Sequence, residues 1–330
     1  MQTTITQVYI LVILLLIRST DGFSQEEMPN PPKGNFYGDL FLNMNHNIDA
    51  NQMSFRLNRL HFGYQYNYND HLYFNGLIES AREDYDPQGD YNGITNLFEF
   101  CLGFNYEKIS GKLGLIGTAL NQQQEKLWKN RYIDKVFADK YGFAPTNDFG
   151  GIVIFKPFDL LNIDVAVTNG EGHKNAQMDS SFRYALGVTF NIPGNFVARV
   201  YNDFIPTPDG TQINTIAMAG YQTEKLSVGL EWNKQTNKNF IEDYSFGGFS
   251  GYGSYSFIPK YTLFGRYDYL SMETPLPGNL TGTSEGSLFI TGLQYQIHQK
   301  VVTALNYRLW EAIGSNNGTS YIFLDLALNF

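Results

Sequence analysis

One cysteine, Cys101, is too few for a disulfide framework or a multi-cysteine metal site. The five histidines (His46, His61, His71, His173 and His298) are scattered and never form a helical i, i+4 pair. Charge is sparse as well, at 17% of residues, and no Lys/Arg-rich tract occurs. With a formal net charge of −9, this argues against nucleic acid as a partner. There is no G-x-S-x-G elbow, no H-E-x-x-H pair and no phosphate-cradling glycine loop. GGFSGYG (Gly247–Gly253) resembles such a loop only in composition, and its alternation reads as a strand. No cofactor is expected. The longest apolar run, Val8–Ile17, has ten residues, about half of what a spanning helix requires.

That run fits the core of an export signal instead. Gly22 and Ser24 supply small residues at −3 and −1, which places cleavage after Ser24 and makes residues 1–24 a signal peptide. Met1–Gln7 carries no Lys or Arg, a departure from the usual signal pattern. N-terminal sequencing of the mature protein is expected to start at Gln25 or within a few residues of it. A mature form that retains Val8–Ile17 would refute export. Residues 25–35 are polar and proline-rich and read as a periplasmic leader; residues 36–330 form the folded body.

What the chain has in quantity is Tyr (23), Phe (26) and Gly (32), at a mean hydropathy of −0.28. A wall with one apolar and one wet face needs that mixture. Strand-like segments of about ten residues recur, the length of a membrane-crossing strand. In Ser320–Phe330 the even positions are Ile322, Leu324, Leu326, Leu328 and Phe330, against Asp325, Ala327 and Asn329. Leu226, Val228, Leu230 and Trp232 alternate with Ser227, Gly229, Glu231 and Asn233. Phe98, Phe100, Leu102 and Phe104 alternate with Glu99, Cys101, Gly103 and Asn105. Phase breaks near Asn58–Arg59, and neither Gly150–Lys156 nor Gln212–Tyr221 alternates cleanly.

The connections discriminate further. Short links at Asn67–Asp70, Lys108–Ser110, Pro157–Asp159, Ile192–Gly194, Thr223–Lys225, Pro259 and Gln299–Lys300 alternate with longer ones. The longer links are 48–52, 83–94, 122–147, 171–180, 204–211, 235–246, 271–285 and 312–318. This sorting predicts an all-β fold: a transmembrane antiparallel barrel of sixteen strands, with fourteen or eighteen as alternatives, and both termini periplasmic.

At this point the sequence resembles the porin superfamily of Gram-negative outer membranes, especially the phosphate-selective-porin-like group. The resemblance rests on FLDLALNF (Phe323–Phe330), on TNGEG (Thr168–Gly172) and on the long third connection, and it covers nearly all of the mature chain. It implies an outer-membrane location and passive diffusion of ions and small polar solutes through a water-filled bore. It also implies lipid and the barrel assembly machinery as partners, with Phe330 the assembly signal, and a homotrimer. The third extracellular loop folds inward in such porins. Competing readings are a structural or adhesive barrel with a plugged lumen and, behind it, a barrel lipid hydrolase; conductance in a planar bilayer separates these.

Three groups of residues are candidates for function. The segment Glu125–Tyr141 spaces Trp128, Tyr132 and Val136 by four, with favourable pairs Glu125/Lys129 and Lys135/Asp139. It reads either as an inward constriction helix presenting Lys129, Arg131 and Lys135, or as an outer cap whose charges are merely solvated. The lumen faces are predicted to hold Arg183, Arg199, Arg266 and Arg308 with Glu99, Asp164, Glu231 and Asp268, an even count that gives no net ion preference. The acidic loop 82–93, with Glu83, Asp84, Asp86 and Asp90, has ligands for Ca²⁺. A solvated loop is the commoner reading of such a cluster, and no metal site is assigned.

Overall fold

A computed structural model describes residues 33–82, 93–177, 180–208, 210–272, 285–314 and 318–330. The expected signal peptide, most of the expected leader and residues 83–92 of the acidic loop therefore lie outside the described residues. Sixteen strands follow in order: β1 (Lys33–Asn47), β2 (Gln52–Asn67), β3 (Leu72–Arg82), β4 (Gly93–Tyr106), β5 (Ile109–Gly117), β6 (Asn147–Phe158), β7 (Leu161–Thr168) and β8 (Arg183–Ile192). The second half comprises β9 (Phe196–Thr207), β10 (Gly210–Gln222), β11 (Leu226–Thr236), β12 (Phe246–Ile258), β13 (Tyr261–Met272), β14 (Gly286–His298), β15 (Val301–Ala312) and β16 (Thr319–Asn329). Each pairs antiparallel with its chain neighbours, and β1 pairs with β16, which closes the barrel. β1 starts at Lys33, ahead of the expected Phe36. Closure leaves no unpaired sheet edge, the condition for a β-structure to survive in lipid.

The short turns fall where the sequence places them. Among the long links one expectation fails: β9 and β10 run on to Thr207 and Gly210, so the link expected over 204–211 shrinks to a tight turn. Continued alternation through Ile205 and Gln212, both buried, carries the ladder past the expected break.

Outward residues form an apolar band. Leu113, Val200, Leu230 and Leu305 are exposed at mid-strand. Aromatic pairs border them, Phe196–Tyr221 and Tyr261–Tyr295 toward the short turns, and Tyr184–Phe204 and Phe249–Tyr269 toward the long loops. This is the exterior that a barrel presents to a bilayer. Phe330 closes the seam: its N–H donates to the Gly38 carbonyl at 3.0 Å and its ring lies over Gly38, where any Cβ would clash.

Two β-bulges mark β2 and β4. The first, opposite Phe41/Leu42, leaves Asn58 as the extra residue and accounts for the phase break at Asn58–Arg59. The second leaves Phe98 unpaired between Glu99 and Leu97. A bulge re-aims its side chain. Phe98 was expected on the lipid face with Phe100, Leu102 and Phe104; it turns into the lumen instead, against the His61 ring at 4.7 Å.

No helix among the described residues is long and apolar enough to cross a membrane. Helices α1 (Ala119–Trp128) and α2 (Phe137–Lys140) lie in the third long connection, L3, between β5 and β6.

Candidate functional site

L3 folds into the barrel. The single helical stripe expected over Glu125–Tyr141 is split in two, because α1 ends at Trp128 and Lys129 takes the left-handed conformation (φ 59°), its N–H bonding back to the Glu125 carbonyl. After the break Trp128 remains attached, its Nε1 donating to the Asp134 carbonyl at 3.0 Å. The apolar positions read from the sequence still face one way: Trp128, Tyr132, Ile133, Val136 and Phe137 are all buried. They pack on inner-wall residues Met218, Tyr252, Phe264, Ile290 and Phe246. Room for them comes from Gly220, whose Cβ would meet Leu127 at 2.7 Å, and from Gly248, whose Cβ would meet Phe137 at 2.8 Å. The sequence also offers two small residues at inward positions of β7 and β8, Ala166 and Gly187. The inner side of Gly187 is filled by the Arg199–Asp164 pair, and Ala166 packs in a small cluster with Ala119.

Polar ties fix the same face. Ser227 Oγ donates to the Leu127 carbonyl, Asn214 Nδ2 and Gln235 Nε2 donate to the Phe143 carbonyl, and the Tyr132 hydroxyl donates to Gln294 Oε1. The strongest tie is an Arg266–Asp268 pair on β13, bidentate at 2.7 Å. Arg266 Nη1 donates to the Lys135 carbonyl, Asp268 accepts the Tyr141 hydroxyl at 3.1 Å, and the Arg266 guanidinium lies over the Trp128 ring. An ionic pair sealed from water is strong only when its remaining donors and acceptors are used; here L3 uses them.

The charges within L3 pair across the break, not at the expected i, i+4 spacings. Arg131 bridges Glu125 (3.1 Å) and Asp139 (2.9 Å), and Lys140 holds Asp134 at 2.8 Å. Burial alone would push the Asp134 carboxyl up, but Lys140, Arg308 and Arg266 hold it well below the usual carboxylate range.

Opposite L3 an open cavity of about 1140 Å³ remains against β1 to β4, β8 and β14 to β16. Its charged lining comprises Arg56, Arg59, Arg131, Lys135, Lys140, Lys174, Arg183 and Arg308, against Glu79, Asp134, Asp139 and Glu171. Of the proposed constriction residues, Arg131 and Lys135 line this cavity; Lys129, exposed in its left-handed turn, does not. Of the predicted lumen set, Arg183 and Arg308 line it. Glu99, Asp164, Arg199, Glu231, Arg266 and Asp268 do face inward, but they are buried and absent from its lining. The reason is physical. L3 covers the β11 to β13 wall, where Glu231, Arg266 and Asp268 lie, while Arg199 with Asp164 and Glu99 with Lys112 pair against the wall. Sequence reasoning missed Arg56 and Arg59, whose phase the Asn58 bulge obscures, and Glu79 on β3. Among the described residues no cluster of three metal-ligating side chains occurs.

Solved structures share this architecture. The trimer form of in-vitro folded OmpT, an outer membrane protein of Vibrio cholerae, superposes with a TM-score of 0.62 at 14% identity, over 91% of this chain and all (100%) of that one. OmpF of Salmonella typhi, in complex with daunomycin, gives 0.67 at 12% identity over 90% of this chain and 98% of its own. The chain has the porin fold. An anion-selective porin from Comamonas acidovorans matches at 0.65 and 9% identity, covering 91% of this chain and 100% of that one. Identities this low speak for the porin fold alone. No family model matches the chain, and neither does any curated protein sequence.

Proposed function

We propose that this porin-fold barrel is an outer-membrane channel for passive diffusion of ions and small polar solutes, with the path between L3 and the β1 to β4 wall. The observation that carries the reading is the cavity: L3 occupies one side of the bore and leaves the other open and charged. A plugged adhesive barrel has no use for such an opening. Outer-membrane placement rests on the closed barrel and its apolar band. A homotrimer is proposed with it, as for the trimer form of the Vibrio cholerae protein.

Anions are the favoured class. The eight lysine and arginine side chains named above line the cavity against four carboxylates in the lining and three more, Glu125, Asp203 and Asp325, that pair with Arg131, Arg183 and Arg308 from outside it, which leaves a cationic excess in a chain whose overall charge is −9. Within a confined path such charges are screened less than on an open surface. The bias belongs to the cavity and not to the protein as a whole. Reversal potentials across a salt gradient are expected to report anion preference for the purified protein. Changing Arg131→Gln and Lys135→Gln together is expected to shift the potential toward cations, all the more because Glu125 and Asp139 lose their partner. An unmoved potential would place the solute path elsewhere.

A further inference from the structure

The turn after β7 makes a second intrusion into the bore. Asn169–Asn175 lines the cavity beside L3 and is tied down at its base. Gly170 donates its N–H to Asp148 Oδ2 at 2.6 Å, Asn169 bonds to the Phe149 carbonyl, and His173 donates its backbone N–H to the Asn147 carbonyl at 2.9 Å. Gly170 (φ 109°) and Gly172 (φ 84°) take conformations that favour glycine, and a Cβ at Gly172 would strike Pro145 at 2.8 Å. The loop therefore rests on the end of L3.

From that base the His173 ring reaches β4, three strands along the wall from β7. It meets Phe98 edge-on, with centroids 5.3 Å apart, and Phe98 in turn lies on His61. Phe98 is available only because the β4 bulge turns it inward. Both His173 and Phe98 line the cavity, and the imidazole Nε2 is enclosed with no hydrogen-bond partner. A bulge on β4 and a glycine-dependent bend after β7 thus converge on a single contact at one side of the opening.

We propose that loop Asn169–Asn175, seated through His173 on Phe98, is a second constriction of the channel, separate from L3, and that His173 is its positioning residue. The inference rests on the channel reading above. The groups facing His173 are Glu79 of β3, Asp148 of β6 and its neighbour Lys174, with Arg59 and His61 behind Phe98. Burial lowers the affinity of the imidazole for a proton, and Glu79 only partly offsets it. The seat is thus fully present above the ordinary histidine range and is lost as pH falls through the depressed value.

Single-channel conductance of the full-length protein tests this, with folding checked for each variant by its heat-dependent gel mobility. His173→Ala and Phe98→Ala are each expected to raise conductance about twofold at neutral pH, and the double variant no further, since either change opens the same contact. His173→Phe keeps an edge-on aromatic contact, so it is expected to conduct like the wild type at pH 7 and to lose the rise that the wild type shows on acidification. A response to acid that survives in His173→Phe would assign it to His61 and overturn the role of His173. A conducting wild type with unchanged alanine variants overturns the second constriction alone. A wild type that does not conduct overturns the channel reading, and this inference with it.

Discussion

Deleting Glu125–Tyr141 is expected to raise single-channel conductance severalfold while the barrel still closes. The segment holds the end of α1, the left-handed turn and α2, the bulk of what fills one side of the bore. Closure does not depend on it, because β5 and β6 pair directly from Ile109↔Phe155 to Gly117↔Asn147. The residues left on either side are enough to join the two strands. Stability falls, because the inner wall loses the fully buried Trp128 and Phe137, and removing one such aromatic costs roughly 3–5 kcal/mol. The milder Trp128→Ala is expected to loosen L3 and make the open-channel current noisier without removing the loop. Unchanged conductance after the deletion would show that solutes do not pass beside L3.

The second large effect lies on the outer wall. Leu230 is near the middle of β11, is 63% exposed and points away from the lumen. Arginine there has to be held in the hydrocarbon, at a cost of roughly 2–4 kcal/mol near the midplane. Leu230→Arg is expected to cut the yield of folded barrel in lipid vesicles and to shift its denaturant midpoint downward. Glu231→Gln, one residue on, changes a buried inward side chain of the same strand and is expected to leave both unchanged. Equal losses in the two variants would mean that the assigned faces are wrong.

The alternation that separates Leu230 from Glu231 was legible in the chain, and so were the sixteen strands and the sorting of most of their links. Period two is a local property: each residue's face depends on its neighbours, so a strand that buries one side must write that side into every second position. The same logic failed where a bulge inserts one residue. Phe98 fits the apolar set of β4 by count, and only the pairing of Leu97 and Glu99 with their partners on β3 shows that it is the extra residue.

The site was less legible than the fold. Eight inward charges were named from alternation, yet only Arg183 and Arg308 among them line the cavity. Facing inward is decided along the strand; meeting water is decided by what lies on top. L3 packs on the β10 to β13 wall because Gly220 on β10 and Gly248 on β12 leave room there, and so turns Arg266 and Asp268 from lumen charges into anchors for the loop.

By itself, then, the sequence determined a closed, one-layer wall with an apolar outside, since those are consequences of local periodicity and of the backbone's need for partners in lipid. The tertiary structure alone decided which side of the bore L3 occupies, which charges meet solvent, and that His173 meets Phe98 beside the opening. Those contacts join residues far apart in the chain, and steric fit between separate surfaces leaves no periodic trace for a sequence reading to follow.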